Sequence, residues 1–526
     1  TRTWTGSSRR SNRCSPRRRE RPRHWQAARR TAGDLVVTLG SRSGLDPRCV
    51  EIARAVRDAG GRALVVGGWV RDRLLGTGSK DVDIEVSGLD VERLESVLAG
   101  FGNVHAVGRA FGVFRVGGID VDFSLPRRDS KRGPGHRGFD VTPDPSLDFA
   151  QAARRRDLTV NSIGIDPLTG EVLDPHGGRR DLERRVLRAT DPERFPEDPL
   201  RGLRVAQLAA RLEMAPDEEL VALCRALDLG ELSGERVFDE LAKLLLRAAK
   251  PSIGFRFLED SGQLRFFPEL DALRGVPQDP EWHPEGDVWV HTLMVLDAAA
   301  SLRSGGTAPG AQRPDRSTHP PAAAPPAEER TSSPGGGRED LALMLGALCH
   351  DLGKPATTQR VDGRIRSYRH DVAGVAPTRA LLGRMAAPGA LVDRVAALVE
   401  HHLAPALFVR NGATAKGYRR LARKLERAGV GIELLVRVAR ADHLGRTTAD
   451  ALASRFDAGD AFLAAARAHS VEHAAPRDAV LGRHLVARGM KPGPGFAPIL
   501  ERCREIQDET GWTDPERIID HALTGR

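Results

Sequence analysis

From Leu35 to about Ile165, short runs rich in Val and Ile alternate with stretches of helical period and with glycine-rich turns, which predicts a mixed α/β unit. In "ALVVGGWVRDRLLG", residues 63–76, four apolar residues read as a buried strand, Gly67-Gly68 opens a helix and Gly76 stops it. Next, "DVDIEV" alternates acids with Val82, Ile84 and Val86, so period two places Asp81, Asp83 and Glu85 on one strand face. From about Asp191 to Leu273 the period changes: Leu203, Leu208 and Leu212, then Leu241, Leu244 and Leu245, recur near 3.6 and predict helices. A second helical region runs from Glu281 to about Phe456, and the last 70 residues are helix-prone with a break at "KPGPG", 491–495.

That second region is interrupted at 303–338 by a Pro, Gly, Ala and Ser segment almost without large apolar side chains. Burial there cannot offset ordering entropy, so a disordered insertion is expected. No apolar run approaches 18 residues, so no membrane span is expected. The net charge of +9 invites a nucleic-acid reading, but residues 1–30 hold eleven Arg and one Glu, leaving the other 496 residues close to neutral. Residues 1–40 read as a disordered, functionally optional basic tail, with a transit-like leader or a basic arm on RNA as alternatives; a secretory signal would need an apolar stretch absent from it. The five cysteines, Cys14, Cys49, Cys224, Cys349 and Cys503, form no CxxC pair, which fits a reducing cytoplasm.

The acids on the strand carry the chemistry. Two glycines at a strand-to-helix turn let a phosphate approach unpaired backbone N–H groups. Carboxylates one strand step apart can hold two magnesium ions, one activating a 3′-hydroxyl and one carrying a triphosphate. A neighbouring strand, "IDVDFSLPR" at 119–127, offers Asp120 and Asp122 as a third ligand. A merely solvated acidic face is the alternative for an isolated DxD; the preceding glycine turn argues against it.

These motifs, in this order over roughly residues 60–275, resemble the bacterial class II tRNA nucleotidyltransferases (CCA-adding enzymes) and their poly(A) polymerase relatives. The resemblance implies nucleotide contacts at Gly68 and Arg71, magnesium ligands at Asp81 and Asp83, and Asp122 as the third catalytic carboxylate. "RRRDLTVNSIGID" resembles the ribose-reading motif and implies Arg156 and Asp157; "DPHGGRRDL", 174–182, resembles a head-to-neck hinge. "EDPLRGLRVAQLAARL" resembles the nucleobase-reading helix, in which Asp198 and Arg201 imitate a base edge toward CTP or ATP with Arg204 close by; Gln207 stands where some relatives have another Arg. "ERVFDELAKLLL", 235–246, resembles the helix that braces the neck, and the Gly-rich stretch between Arg127 and Asp148 resembles the loop used in switching from C to A addition.

The second helical region carries another constellation: His291, His350-Asp351 in "LCHDLGKP", His370, His401-His402 and Asp442. A His-Asp pair buried without a partner or a metal costs several kcal/mol. The order resembles the HD phosphohydrolase superfamily, and "EWHPEGDVWVHTLMVLD" resembles the HD domain fused to some CCA-adding enzymes. His291, His350, Asp351 and Asp442 are thereby implied as ligands of a divalent transition metal, with phosphatase or 2′,3′-cyclic phosphodiesterase activity.

The expectation is an α+β protein: the basic tail, a small mixed-sheet nucleotidyltransferase head at 41–188, an all-α neck binding nucleobase and RNA at 189–275, an all-α HD domain at 276–456 and a helical region at 457–526. The expected activity is template-independent addition of CCA to tRNA in the cytoplasm, from CTP and ATP. A poly(A) polymerase or A-adding enzyme is the alternative within that chemistry. Alternatives of other classes are an HD phosphohydrolase with a passive RNA-binding head and a non-catalytic RNA scaffold.

Overall fold

The computed structural model describes residues 45–78, 81–108, 112–131, 139–304 and 336–524. The basic tail at 1–40 and most of the 303–338 insertion lie outside these residues.

The apolar run of residues 63–66 forms β1 (Arg62–Val66), followed by α2 (Gly68–Leu74), which comes after α1 (Pro47–Asp58) in the chain. The alternating run forms β2 (Val82–Ser87) and leads into α3 (Val91–Ala99). Five further strands, β3 (Val104–Gly108), β4 (Val113–Val116), β5 (Val121–Ser124), β8 (Gly164–Ile165) and β9 (Val172–Leu173), complete a seven-stranded sheet in the order β3-β4-β5-β2-β1-β8-β9. Strands β6 (Arg127–Lys131) and β7 (Phe139–Pro143) form a separate hairpin within the stretch likened to the C-to-A switching loop, whose residues 132–138 fall outside those described. Within the sheet β2 and β5 run parallel, and every other pairing is antiparallel. Ile84, Phe114 and Phe123 point into a fully buried core against Leu94 and Leu98 of α3.

The chain then passes through α4 (Phe149–Ala153) and α5 (Gly178–Arg184) into the neck helices α6 (Leu200–Leu212), α7 (Glu218–Ala226) and α8 (Gly234–Arg247). The predicted hinge motif is a tight joint. Asp174 caps α5 by accepting from the N–H groups of Gly178 and Arg179 at 2.7 and 2.9 Å, and a Cβ on Gly178 would stand 2.2 Å from the Thr159 carbonyl oxygen. A short parallel pair, β10 (Val186–Leu187) with β11 (Ala215–Pro216), joins the two parts. Asp72, 1% exposed, lies between Arg71 of its own helix and Arg211 of α6, each 2.7 Å away, so burying that carboxylate ties α2 to the neck.

One apolar core runs from the sheet through the neck and into the later helices, while Val480, Leu485, Cys503, Ile506, Ile518 and Ile519 form a separate small cluster near the C-terminal end. Two expectations need correction. The region expected to be all-α contains a hairpin, β12 (Thr358–Val361) with β13 (Arg364–Ser367), because Asp362 and Gly363 supply the left-handed residues of a two-residue turn. The insertion is also shorter at its edges than 303–338. Arg303 donates to the carbonyls of Leu245 and Ala248, the Ser304 N–H donates to Asp340, and helix Gly336–Cys349 begins before the expected end. No helix among the described residues is long and apolar enough to cross a membrane, and Cys49, Cys224, Cys349 and Cys503 are free thiols, all buried.

Candidate functional site

Two groups of ionisable residues stand out, one at the edge of the sheet and one deep among the later helices.

At the sheet, the register of β1 against β2 pairs Val66 with Asp83, so the Gly67-Gly68 turn comes to rest beside the Asp83 carboxylate. Gly67 has φ +78°, and a Cβ there would stand 3.1 Å from Arg156 Nη1 and 3.3 Å from Asp83 Oδ2; glycine is required on both counts. The parallel register of β2 and β5 puts Asp83 directly beside Asp122. Asp81, exposed, immediately precedes β2. Packing around its carboxyl raises the proton affinity of Asp83 although the residue opens to solvent; Arg156 opposes this, and the like charges of Asp122, Asp81 and Glu85 add to it. Asp122 pairs with Arg115, its cross-strand neighbour on β4, Oδ2 accepting from Nη2 at 3.0 Å. Carboxylates brought this close together are a donor set that a divalent cation suits.

Glu85 departs from the solvated face that period two predicts. It is 4% exposed and lies 3.2 Å from Arg155 and 3.9 Å from Arg156. It is the counter-charge that fixes two arginines over the sheet.

Those arginines open the segment expected to read the ribose. Asp157, in that segment, is buried and accepts from the N–H of Leu158, from Asn161 and from Arg204 Nε, at 2.8, 2.8 and 2.7 Å. Burial alone would raise its pKa, but Arg204 and these hydrogen bonds hold it down at about 2. Arg71 is 3% exposed and donates to Asp72 at 2.8 Å and to Asn161 at 2.6 Å, with Nη2 lying 3.5 Å from where a Cβ on Gly68 would be; it supports the glycine turn from beneath.

Helix α6 is docked on this segment at two points: Arg204 through Asp157, and Arg201 through the Arg155 carbonyl at 2.8 Å, with the Arg194 carbonyl at 2.7 Å. Asp198, just before the helix, pairs with Arg236 of α8 at 2.9 Å. The predicted residues of sheet and helix therefore converge, and sequence reasoning missed Glu85, Arg115 and Asn161 as their partners. Asn161 was visible in the quoted motif; Arg115 gains its meaning only from strand pairing.

The second group is buried. His291 is 0% exposed, His350 and Asp351 1%, and Asp442 6%, and all four come together as predicted. His291 Nε2 lies 3.1 Å from Asp442 Oδ1, and His350 Nε2 lies 3.1 Å from Asp351 Oδ2. Burial favours the protonated acids, but His350, Lys354 and His370 hold Asp351, and Arg446 and His291 hold Asp442, well below the carboxylate range. Burial keeps His402 and His283 neutral, each pushed down to about 4. Burial works against a charge on His350, but Asp351 and Asp442 raise its proton affinity. Ionised carboxylates among imidazoles match the donor chemistry of a divalent transition metal. The prediction omitted three neighbours. His370 and His402 join the cluster; Glu285 accepts from His283 Nδ1 at 2.9 Å and lies 2.8 Å from His291 Nδ1, where a carboxylate stands behind a metal-binding imidazole.

The chain is similar to known proteins in sequence and in fold. Residues 63–188 match the family described as "Poly A polymerase head domain", and residues 217–274 match "Probable RNA and SrmB-binding site of polymerase A". The chain is 40% identical over 334 residues to the multifunctional CCA protein of Xanthomonas campestris pv. campestris (strain B100), covering 62% of this chain and 70% of that protein. To the multifunctional CCA protein of Methylococcus capsulatus it is 39% identical over 350 residues, 65% of this chain and 72% of the other. The Bacillus stearothermophilus CCA-adding enzyme solved in complex with CTP shares the fold, with a TM-score of 0.53 and 20% identity over 91% of this chain and 98% of that one.

Proposed function

The chain belongs to the family of multifunctional CCA proteins, and from that premise we propose that it adds CMP, CMP and AMP to the 3′ end of tRNA from CTP and ATP, releasing pyrophosphate at each step. The observation that carries the reading is the pairing of Asp83 with Asp122 across parallel strands, beside the Gly67-Gly68 turn and Arg156. Two magnesium ions held by Asp81, Asp83 and Asp122 would supply activation of the 3′-hydroxyl and neutralisation of the triphosphate. The protein's own groups do the positioning. Gly68 receives phosphate oxygens, joined by Arg156, which was expected at the ribose but lies beside Gly67; Arg71, expected at the nucleotide, is buried, and its network with Asp72 and Asn161 keeps the turn in place. Asp157 and Arg204, already joined, face the sugar; Asp198 and Arg201 present an acceptor and donors to the base edge, so no nucleic-acid template is needed.

The transfer makes a bond from the tRNA 3′-oxygen to the α-phosphorus and breaks the bond to the pyrophosphate, with the hydroxyl proton passing to solvent. The purified full-length protein, given tRNA lacking CCA and each NTP singly and mixed, should yield a product ending in CCA. A long A tail, or addition of A alone to tRNA ending in CC, would instead mark a poly(A) polymerase or an A-adding enzyme.

The buried His/Asp centre supports a second activity, hydrolysis of a phosphomonoester or a 2′,3′-cyclic phosphodiester. Its ionised acids and clustered imidazoles suit a metal that lowers the pKa of bound water.

A further inference from the structure

The acids of the sheet site belong to a row of residues that crosses the whole sheet, and the nucleotide uses only part of it. We propose that Arg115, with His105 beyond it, receives a phosphate of the tRNA 3′ end and so guides the attacking hydroxyl to the acids. The inference deepens the nucleotidyl-transfer reading of the sheet and rests on it.

The row follows from strand register. Gly164 of β8 pairs with Val66 of β1, Val66 with Asp83 of β2, Asp83 with Asp122 of β5, Asp122 with Arg115 of β4, and Arg115 with His105 of β3. Paired residues project from the same face of a sheet, and Phe114, Val116, Val121 and Phe123 fill the core on the other face. The two ends of the row differ. At the β8 end a Cβ on Gly164 would stand 2.8 Å from the Phe149 ring, and Val66 is buried, so that end is closed. At the other end Arg115 and His105 are both exposed, and β3 is the last strand of the sheet.

In-line transfer sets the direction of entry. The attacking oxygen must approach the α-phosphorus from the side opposite the leaving pyrophosphate. The Gly67-Gly68 turn and Arg156, which meet the phosphates, stand on the β1 side of Asp83. Pyrophosphate therefore lies toward the closed end of the row, and the hydroxyl arrives from the open one. The first cation on that approach is Arg115. It holds Asp122 edge-on through Nε and Nη2, the latter at 3.0 Å, which leaves Nη1 and the second hydrogen of Nη2 unused by the acid on a half-exposed side chain. A guanidinium takes a phosphate in the same forked way, so one edge of Arg115 fixes the acid while the other receives the phosphodiester preceding the attacking ribose. Arg115 and Asp83 are two strand spacings apart, about 10 Å, far enough for that ribose to lie between them. His105, one strand further out, offers a ring N–H to the next phosphate.

The test uses the full chain and a tRNA lacking CCA, with the concentrations of tRNA and CTP varied in turn. Arg115→Met should raise the KM for tRNA about tenfold and leave the KM for CTP within about twofold, as one lost charge-assisted hydrogen bond to the RNA would. Its kcat/KM for tRNA should also fall less steeply with salt, the logarithmic slope smaller by about 0.7, because one phosphate contact to a single strand is gone. Equilibrium binding of the same tRNA, fluorescently labelled and without nucleotide, should weaken in parallel. Arg115→Lys keeps a phosphate-binding charge but cannot fork onto Asp122, and should restore most of the tRNA affinity. A fall in kcat with both KM values and the salt slope unchanged would mean that Arg115 only props Asp122, and overturns the proposal. A change in the KM for CTP alone, or a tRNA affinity that Lys does not restore, overturns it too. If the unaltered protein fails to extend the tRNA, the nucleotidyl-transfer reading falls and takes this proposal with it.

Discussion

The sheet site and the buried centre solve the same problem, holding acids close together, in opposite ways. At the sheet, Asp81 and Asp83 open to solvent, and the acids around them are met by arginines delivered by distant segments: Arg115 on Asp122 across the strands, Arg155 and Arg156 on Glu85 from beyond the hairpin, Arg204 of α6 on Asp157. In the buried centre the acids are closed off, and the neighbours are imidazoles whose Nδ1 protons are anchored on carbonyls of their own helical turns. Arginines and open carboxylates suit a site through which a triphosphate and an RNA end must pass. Fixed imidazoles suit a site that retains its cation. The lesson is that burial sets the choice of counter-charge: an exposed acid can share its partner with a substrate, whereas a buried one needs a partner that stays.

The contrast can be broken first at the acids. Asp83→Ala should lower nucleotide incorporation by about a thousandfold or more, the several kcal/mol that a metal ligand set supplies, while phosphodiester hydrolysis at the buried centre stays intact. Incorporation like that of the unaltered protein would remove the metal assignment at the sheet. His350→Ala is the mirror experiment: hydrolysis of a model phosphodiester should fall at least about a hundredfold and CCA addition should stay within about twofold, since the two centres share no residue. A parallel loss of both activities would mean that the regions are coupled.

Acid sharpens the comparison further. The folded-state pKa of Asp157, about 2, lies below its unfolded value near 3.9, so the carboxylate contributes about 2 to 3 kcal/mol that is fully present above pH 5 and is lost as the pH falls from about 4 toward 2. Urea unfolding followed by fluorescence at a series of pH values would reveal it. Arg204→Met should have the smallest effect, a loss of about 1 to 2 kcal/mol at neutral pH, together with a shallower acid limb and a raised KM for CTP and ATP. An unchanged acid limb would show that Asp157 does not draw its stability from Arg204.

What the sequence made legible follows from periodicity. That the second strand would offer an acid was legible because strands expose alternate residues, but period two offered Asp120 and Asp122 alike; the resemblance singled out Asp122, and its pairing with Asp83 comes from the sheet register. The docking of α6 was half legible: Asp198, Arg201 and Arg204 stood on one helix, but Asp157 and the Arg155 carbonyl that hold them are more than 40 residues away in the chain. Glu85 looked like a third exposed acid because the arginines that cover it lie 70 residues downstream. His370 and His402 were noticed yet left out of the ligand set, since 32 residues, including helices Val375–Arg384 and Gly389–His401, separate them and only tertiary packing brings their Nε2 atoms together. Glu285 was present in the quoted "PEGD" stretch, where nothing local marks it as the carboxylate behind His291.

The junction at Asp340 has a consequence of its own. Its carboxylate accepts from the Ser304 N–H and from Arg437, so the two strands of chain leading to and from the long interruption are stapled together on the body of the protein, and Arg437 also grips the Leu302 carbonyl from the same side. With both anchor points fixed in space, lengthening the intervening tether adds only loop-closure entropy, roughly 0.6 kcal/mol for each doubling. Length at this position is therefore nearly free to drift between related chains without disturbing the helices on either side.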